Sequence, residues 1–170
     1  YTLVNYVDLF TSRLAKTNLW KPLWNTILLA VFTCTISIIY GGTFAFLVTR
    51  TNLKFKKYLS SIFIFPYIMP QWTLAVVWQN VFNSNAVVGT SNGLLASLVG
   101  ICMPKWWCQG LFPSSVVLGL HYAPFAYILI GGILRNMDAN LEEAAVILKT
   151  RRLRMFTRIT IPMVMPAVLS

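Results

Sequence analysis

The chain is short of charge, above all of negative charge. Charged residues make up 11% of it, with four Asp or Glu against fourteen Lys or Arg. Soluble domains carry about 25% charged residues, so a surface wetted on every side is excluded. Cysteine is sparse as well. Cys34, Cys102 and Cys108 are too few and too scattered for a disulfide scaffold. There is no phosphate-cradling GxxxxGK[ST] loop. His121 with Ser114 or Ser115 offers the residue types of a hydrolase, but a GxSxG elbow and a carboxylate within the apolar runs are both missing. Aromatics do not alternate with the arginines of the basic segment, which argues against nucleic acid as a partner despite the net charge of +10.

What is present is apolar. Hydrophobic residues form 57% of the chain and the mean hydropathy is +0.67, which places it in the membrane class. A membrane helix needs about 20 mostly apolar residues. Runs at 23–48, 58–82 and 114–134 qualify, and a fourth begins near 162–170. Loop charges set the orientation. The links after the first and third runs hold ten Lys or Arg between them, against four on the opposite side. The two basic links are therefore expected on the cytoplasmic side. Trp20 and Trp24 at one end of the first run, and Tyr58 at the start of the second, fit interfacial anchoring or packing against protein. The start at Tyr1 shows no pattern of a cleaved signal, and the last residues enter a new apolar run. The chain is expected to be an internal fragment with at least one span upstream.

The second run, SSIFIFPYIMPQWTLAVVWQN, carries Pro66 and Pro70. Each proline removes a backbone donor and clashes with the preceding turn, so a doubly broken helix is expected. Its freed carbonyls need partners from neighbouring helices or water. Gln71, Thr73 and Gln79 add polarity to it. Two readings stand: Pro66, Pro70, Gln71, Thr73 and Gln79 line a pathway, or the helix is kinked and packed with Gln71 bonded to a neighbour. The third run holds His121 and Pro124. A membrane histidine is a functional candidate, but His121 lies within two turns of the outer boundary, so a structural role reaching interfacial water is expected. The outer loop, 83–113, contains GLLASLVG, too short to span and suited to a short interfacial helix. Cys102 and Cys108 both fall on the oxidising side, which leaves a disulfide open. Their spacing is not that of a zinc site, and no metal is expected.

The stretch 140–166, NLEEAAVILKTRRLRMFTRITIPMVMP, is different in kind. Asn140 followed by Glu143 has the form of a capping box. Leu141, Ala144, Ala145 and Leu148 then share one helical face. A second short helix is expected, with Arg151, Arg154 and Arg158 on one side and Leu153 and Phe156 on another. Glu143 and the arginines could serve only to cap the helix and retain the loop. That reading does not explain why so much helical patterning sits in a link that could be short. The alternative is a docking element for a cytoplasmic partner.

These residues carry a resemblance. Glu143, Ala144 and Ala145, followed at their spacing by Ile159, Ile161 and Pro162, resemble the EAA motif in membrane subunits of ABC importers. That motif runs EAA, three residues, Gly, nine residues, Ile, one residue, Leu-Pro. Ile161 replaces its Leu and Lys149 its Gly, so the turn between the two short helices must be made differently. YTLVNY at the start, the order of the spans, and GLHYAPFAYILIGGILRNMDANLEEAA are similar to permeases for ferric iron and polyamines.

The resemblance implies an all-α polytopic transmembrane bundle of the type I importer permease kind. Residues 1–170 would be part of that domain, with a coupling loop at 135–161. It implies a multi-pass protein of the bacterial inner membrane that seats the helix bearing Glu143, Ala144 and Ala145 in a cytoplasmic ABC ATPase. Glu142, Leu148, Lys149, Arg151, Arg154, Ile159, Ile161 and Pro162 would belong to the same coupling loop. Glu142 or Glu143 would meet a basic residue of the ATPase, and Arg151 or Arg154 acids or anionic lipid. A second permease half, identical or homologous, and a periplasmic or lipid-anchored solute-binding protein complete the expected partners. ATP hydrolysis would lie in the separate subunit, and no cofactor is implied. Ferric iron is the expected solute; polyamine, thiamine or another small solute is the alternative. A secondary transporter or channel is more distant, because such proteins place ionisable residues at mid-depth and these runs have none there.

Overall fold

A computed structural model describes Phe10, residues 15–85, 89, 91–136, 162 and 165–166. All regular structure among the described residues is helical. A π-helical turn, Lys16–Trp20, leads into α1, Lys21–Arg50. Then come α2 (Lys56–Ile68), α3 (Gln71–Phe82), α4 (Leu94–Leu98), α5 (Lys105–Cys108) and α6 (Leu111–Asn136). By length and composition two helices, α1 and α6 with their short lead-ins, can cross a membrane; α2 and α3 make a third if counted as one broken span. The expected coupling loop at 135–161 falls almost wholly outside the described residues. Arg135 lies in the last turn of α6, and Pro162 beyond the loop is helical and exposed.

Four threonine hydroxyls of α1 are satisfied within the helix, whereas that of Thr33 is buried without a partner. Thr26, Thr35, Thr43 and Thr49 each donate to the carbonyl four residues back, at 2.5–2.9 Å. Ser60 and Ser61 of α2 and Ser114 and Ser115 of α6 do the same. A hydroxyl bonded this way needs no partner from a neighbouring helix, so it sits in apolar surroundings at little cost.

The described residues pack as two units, one within Tyr1–Thr35 and Ala75–Leu118, the other within Ile36–Leu74 and Gly119–Ser170. In the second unit the core is Ala45, Tyr127, Ile130 and Leu134, flanked by Phe44, Phe63 and Ile64 among others. Phe44 stacks on Phe63 at 3.9 Å between centroids, and both meet the edge of Tyr127. Tyr127 Oη donates to Ser60 Oγ at 2.9 Å. Gly41 makes this packing possible. A Cβ there would lie 2.9 Å from Ala126 Cβ and 3.0 Å from Tyr127 N. Backbones this close require small residues at the crossing, and Ala45 and Ala123 are fully buried beside it.

The first unit is held by aromatic rings. Trp78, Phe82, Trp107 and Phe112 form a chain of contacts with centroids 4.5–5.9 Å apart. Trp78 Nε1 donates to the Trp107 carbonyl at 3.1 Å. Cys108 is buried and its thiol donates to the Phe82 carbonyl at 3.2 Å, while Ser84 Oγ donates to Cys102 Sγ at 3.1 Å. Both cysteines are free thiols. The disulfide left open by the sequence is not formed. GLLASLVG contributes α4, whose Leu94 and Leu98 are exposed.

Candidate functional site at the helix break

The second apolar run is broken once, not twice. Pro66 lies inside α2. The chain breaks at Met69 and Pro70, where α2 and α3 bend by 98°. A proline pushes the residue before it out of the helical region, and Met69 obeys, with φ −74° and ψ 145°. Pro70 then stands just ahead of α3, where its missing N–H is no loss. Its carbonyl accepts from Thr73 N at 3.0 Å. Pro66 is followed by only two further helical residues, so the helix ends within a turn of the position its ring perturbs.

The two prolines are four residues apart, and this spacing has a further effect. In a helix the carbonyl of residue 66 accepts from the N–H of residue 70. Residue 70 is a proline and has none. His121 fills the vacancy: its Nδ1 lies 3.0 Å from the Pro66 carbonyl oxygen. A carbonyl can only accept, so Nδ1 carries the proton and donates. His121 is 5% exposed. It therefore does not reach interfacial water, as expected from the sequence, but turns inward to the break.

The next residue of α6 serves the other side. Gln71 Nε2 donates to Tyr122 Oη at 2.6 Å. Both side chains are exposed, and a phenol that accepts one bond keeps its own O–H to donate elsewhere. Tyr67 adds an aromatic face, 5.8 Å from the His121 ring and 6.3 Å from Phe125. The break thus gathers amide, phenol and aromatic groups, able to hydrogen-bond a polar solute and to cover its apolar faces.

Of the expected pathway residues, the structure brings Pro66, Pro70 and Gln71 together at the break. Thr73 follows within one turn and is half-buried. Gln79 is exposed about two turns further along α3. Tyr122 and Tyr67 were not singled out by sequence. The signal for a donor such as His121 is present in the prolines: their four-residue spacing leaves one carbonyl without an N–H. Glu142, Glu143, Ala144, Ala145, Leu148, Lys149, Arg151, Arg154, Ile159 and Ile161 lie outside the described residues.

Comparison with known proteins bears on the whole chain. The family described as "Binding-protein-dependent transport system inner membrane component" matches residues 35–170. The maltose/maltodextrin transport system permease protein MalF of Vibrio vulnificus is 27% identical over 141 residues, covering 81% of this chain and 26% of that protein. The maltodextrin transport system permease protein MdxF of Bacillus subtilis is 25% identical over 171 residues, covering 95% and 39%. The galactooligosaccharides transport system permease protein GanP of Bacillus subtilis is 22% identical over 162 residues, covering 94% and 38%. The chain thus spans between about a quarter and two-fifths of the length of these relatives. Their names speak of sugars, and the expectation of ferric iron finds no support among them.

Proposed function

Since the chain belongs to the family of binding-protein-dependent transport system inner membrane components, a multi-pass group of the bacterial inner membrane, we propose that it is part of the permease of an ATP-driven oligosaccharide importer. Runs 23–48, 58–82 and 114–134 cross the bilayer, 162–170 begins a fourth crossing, and 135–161 is the cytoplasmic coupling loop. An ABC ATPase grips that loop at Ala144 and Ala145, beside Glu143. A solute-binding protein delivers cargo from outside, and a second permease half, identical or homologous, completes the path. ATP is hydrolysed in the ATPase, not in this chain. Family membership over residues 35–170 carries this reading.

The break between α2 and α3 is the part of this chain that faces the solute. Gln71 with Tyr122, and the ring of Tyr67, suit a polyhydroxylated ring, which offers both hydroxyls and apolar faces. The sugar-named relatives support the same class of cargo. The test is uptake into vesicles containing the full-length permease, its partner half, ATPase and binding protein. Labelled maltodextrin should be taken up with ATP, and ferric iron should not. Uptake of iron in place of sugar would reject the cargo; no uptake of any solute would reject the importer. Ala144→Trp and Glu143→Lys should each abolish solute-stimulated ATP hydrolysis while the permease stays in the membrane. Normal uptake by both would remove the coupling role.

A further inference from the structure

We infer that His121 and Tyr122 act together as a two-armed staple that sets the bend of the broken helix pair, with His121 as a positioning residue for Gln71. This rests on the reading that the break faces the solute. Consecutive residues of a helix point about 100° apart, so the two side chains diverge. One reaches the carbonyl of Pro66 at the end of α2, and the other the amide of Gln71 at the start of α3. One helix thereby holds both flanks of one hinge.

The His121 arm is the demanding one. An unpaired carbonyl in lipid costs several kcal/mol, and Pro70 denies Pro66 its normal donor. The bend is kept as long as a side chain of α6 supplies that donor. Without it, the Pro66 carbonyl must turn toward another donor, and α2 must shift with it. The Tyr122 arm then loses its register with Gln71, although Tyr122 itself is untouched. His121 thus acts on the solute-facing amide through the backbone, without contacting solute.

A distance measurement across the hinge tests this. In the full-length permease within its assembled transporter, Cys34 and Cys102 are replaced by Ser. Nitroxide labels are placed at Ile62→Cys on α2 and Val77→Cys on α3, both positions exposed. His121→Leu should change the label separation by several ångström, as α2 shifts to bring the Pro66 carbonyl to another donor. His121→Asn, which keeps a side-chain donor, should hold the unmodified distance. Pro70→Ala restores the N–H that the Pro66 carbonyl lacks. In that background His121→Leu should cause no further change. An unchanged distance in His121→Leu, or the same shift with and without Pro70→Ala, would overturn the staple. Should His121→Leu fail to accumulate in membranes, accumulation of Pro70→Ala/His121→Leu at the unmodified level supports the proposal, and its failure overturns it. Uptake by the unmodified transporter is measured in parallel. Its absence would count against the importer reading and leave the distances to judge the staple alone.

Discussion

Where the backbones of α1 and α6 come closest, the residues have almost no side chain; around α3, α5 and the start of α6 the contacts are made by the largest ones. Gly41, Ala45 and Ala123 let two backbones nearly touch. Trp78, Phe82, Trp107 and Phe112 instead fill space with rings and tie it with an indole N–H. The two solutions draw on different forces. Within lipid, burying apolar area gains nothing over lipid contact, so close approach and dispersion must hold helices together. At a boundary with water, aromatic rings gain from burial and still use their polar edge. The small-residue crossing should therefore fail when atoms are added, and the ring cluster when atoms are removed.

The largest effect is expected from Trp107→Ala. Loss of a ring from the centre of the cluster should destabilise the protein by about 3 kcal/mol, read as a lowered thermal midpoint in detergent. A midpoint equal to that of the parent would show that the rings touch without holding anything. Gly41→Ala comes next, at about 2 kcal/mol, the scale of overpacking in a filled core. A single methyl group should thus rival the loss of an indole at half or more of its cost; a silent Gly41→Ala would mean that the backbones can part freely. Tyr127→Phe should cost least, about 1 kcal/mol, the worth of its hydrogen bond to Ser60. Chemical denaturation can resolve that difference, and a loss as large as that of Gly41→Ala would move the weight of the crossing from shape to polarity.

The all-helical class is legible from composition alone, because so apolar a chain must satisfy its backbone within its own helices. The break at Pro70 is legible from proline chemistry. That Pro66 leaves the helix intact is not, because its effect depends on how soon α2 ends. His121 is visible as an unusual residue, but its partner lies 55 positions away, and no local pattern links them. Gly41 drew no attention in a run of apolar residues, since its role comes from what crosses it. The ferric-iron expectation had the weakest physical basis of all. It leaned on likeness of helices, and helices that share a transport frame say little about which cargo passes. Most serines and threonines of the apolar runs are engaged with the carbonyls of the preceding turn.

The join between α1 and α2 has a consequence for how the chain is made. Only Thr51 to Phe55 separate Arg50 from Lys56, and Phe55 holds a left-handed φ of 64° that closes the corner. Those residues extend to about 17 Å at most, well under the ~30 Å of a bilayer's hydrocarbon. The tips of both helices must therefore emerge on one face. In the topology proposed above, the pair enters the bilayer as a single hairpin, and Arg50, Lys54, Lys56 and Lys57 choose its side once for both legs. Reversing it would take the removal of several of those charges together, because no individual leg is free to turn over by itself.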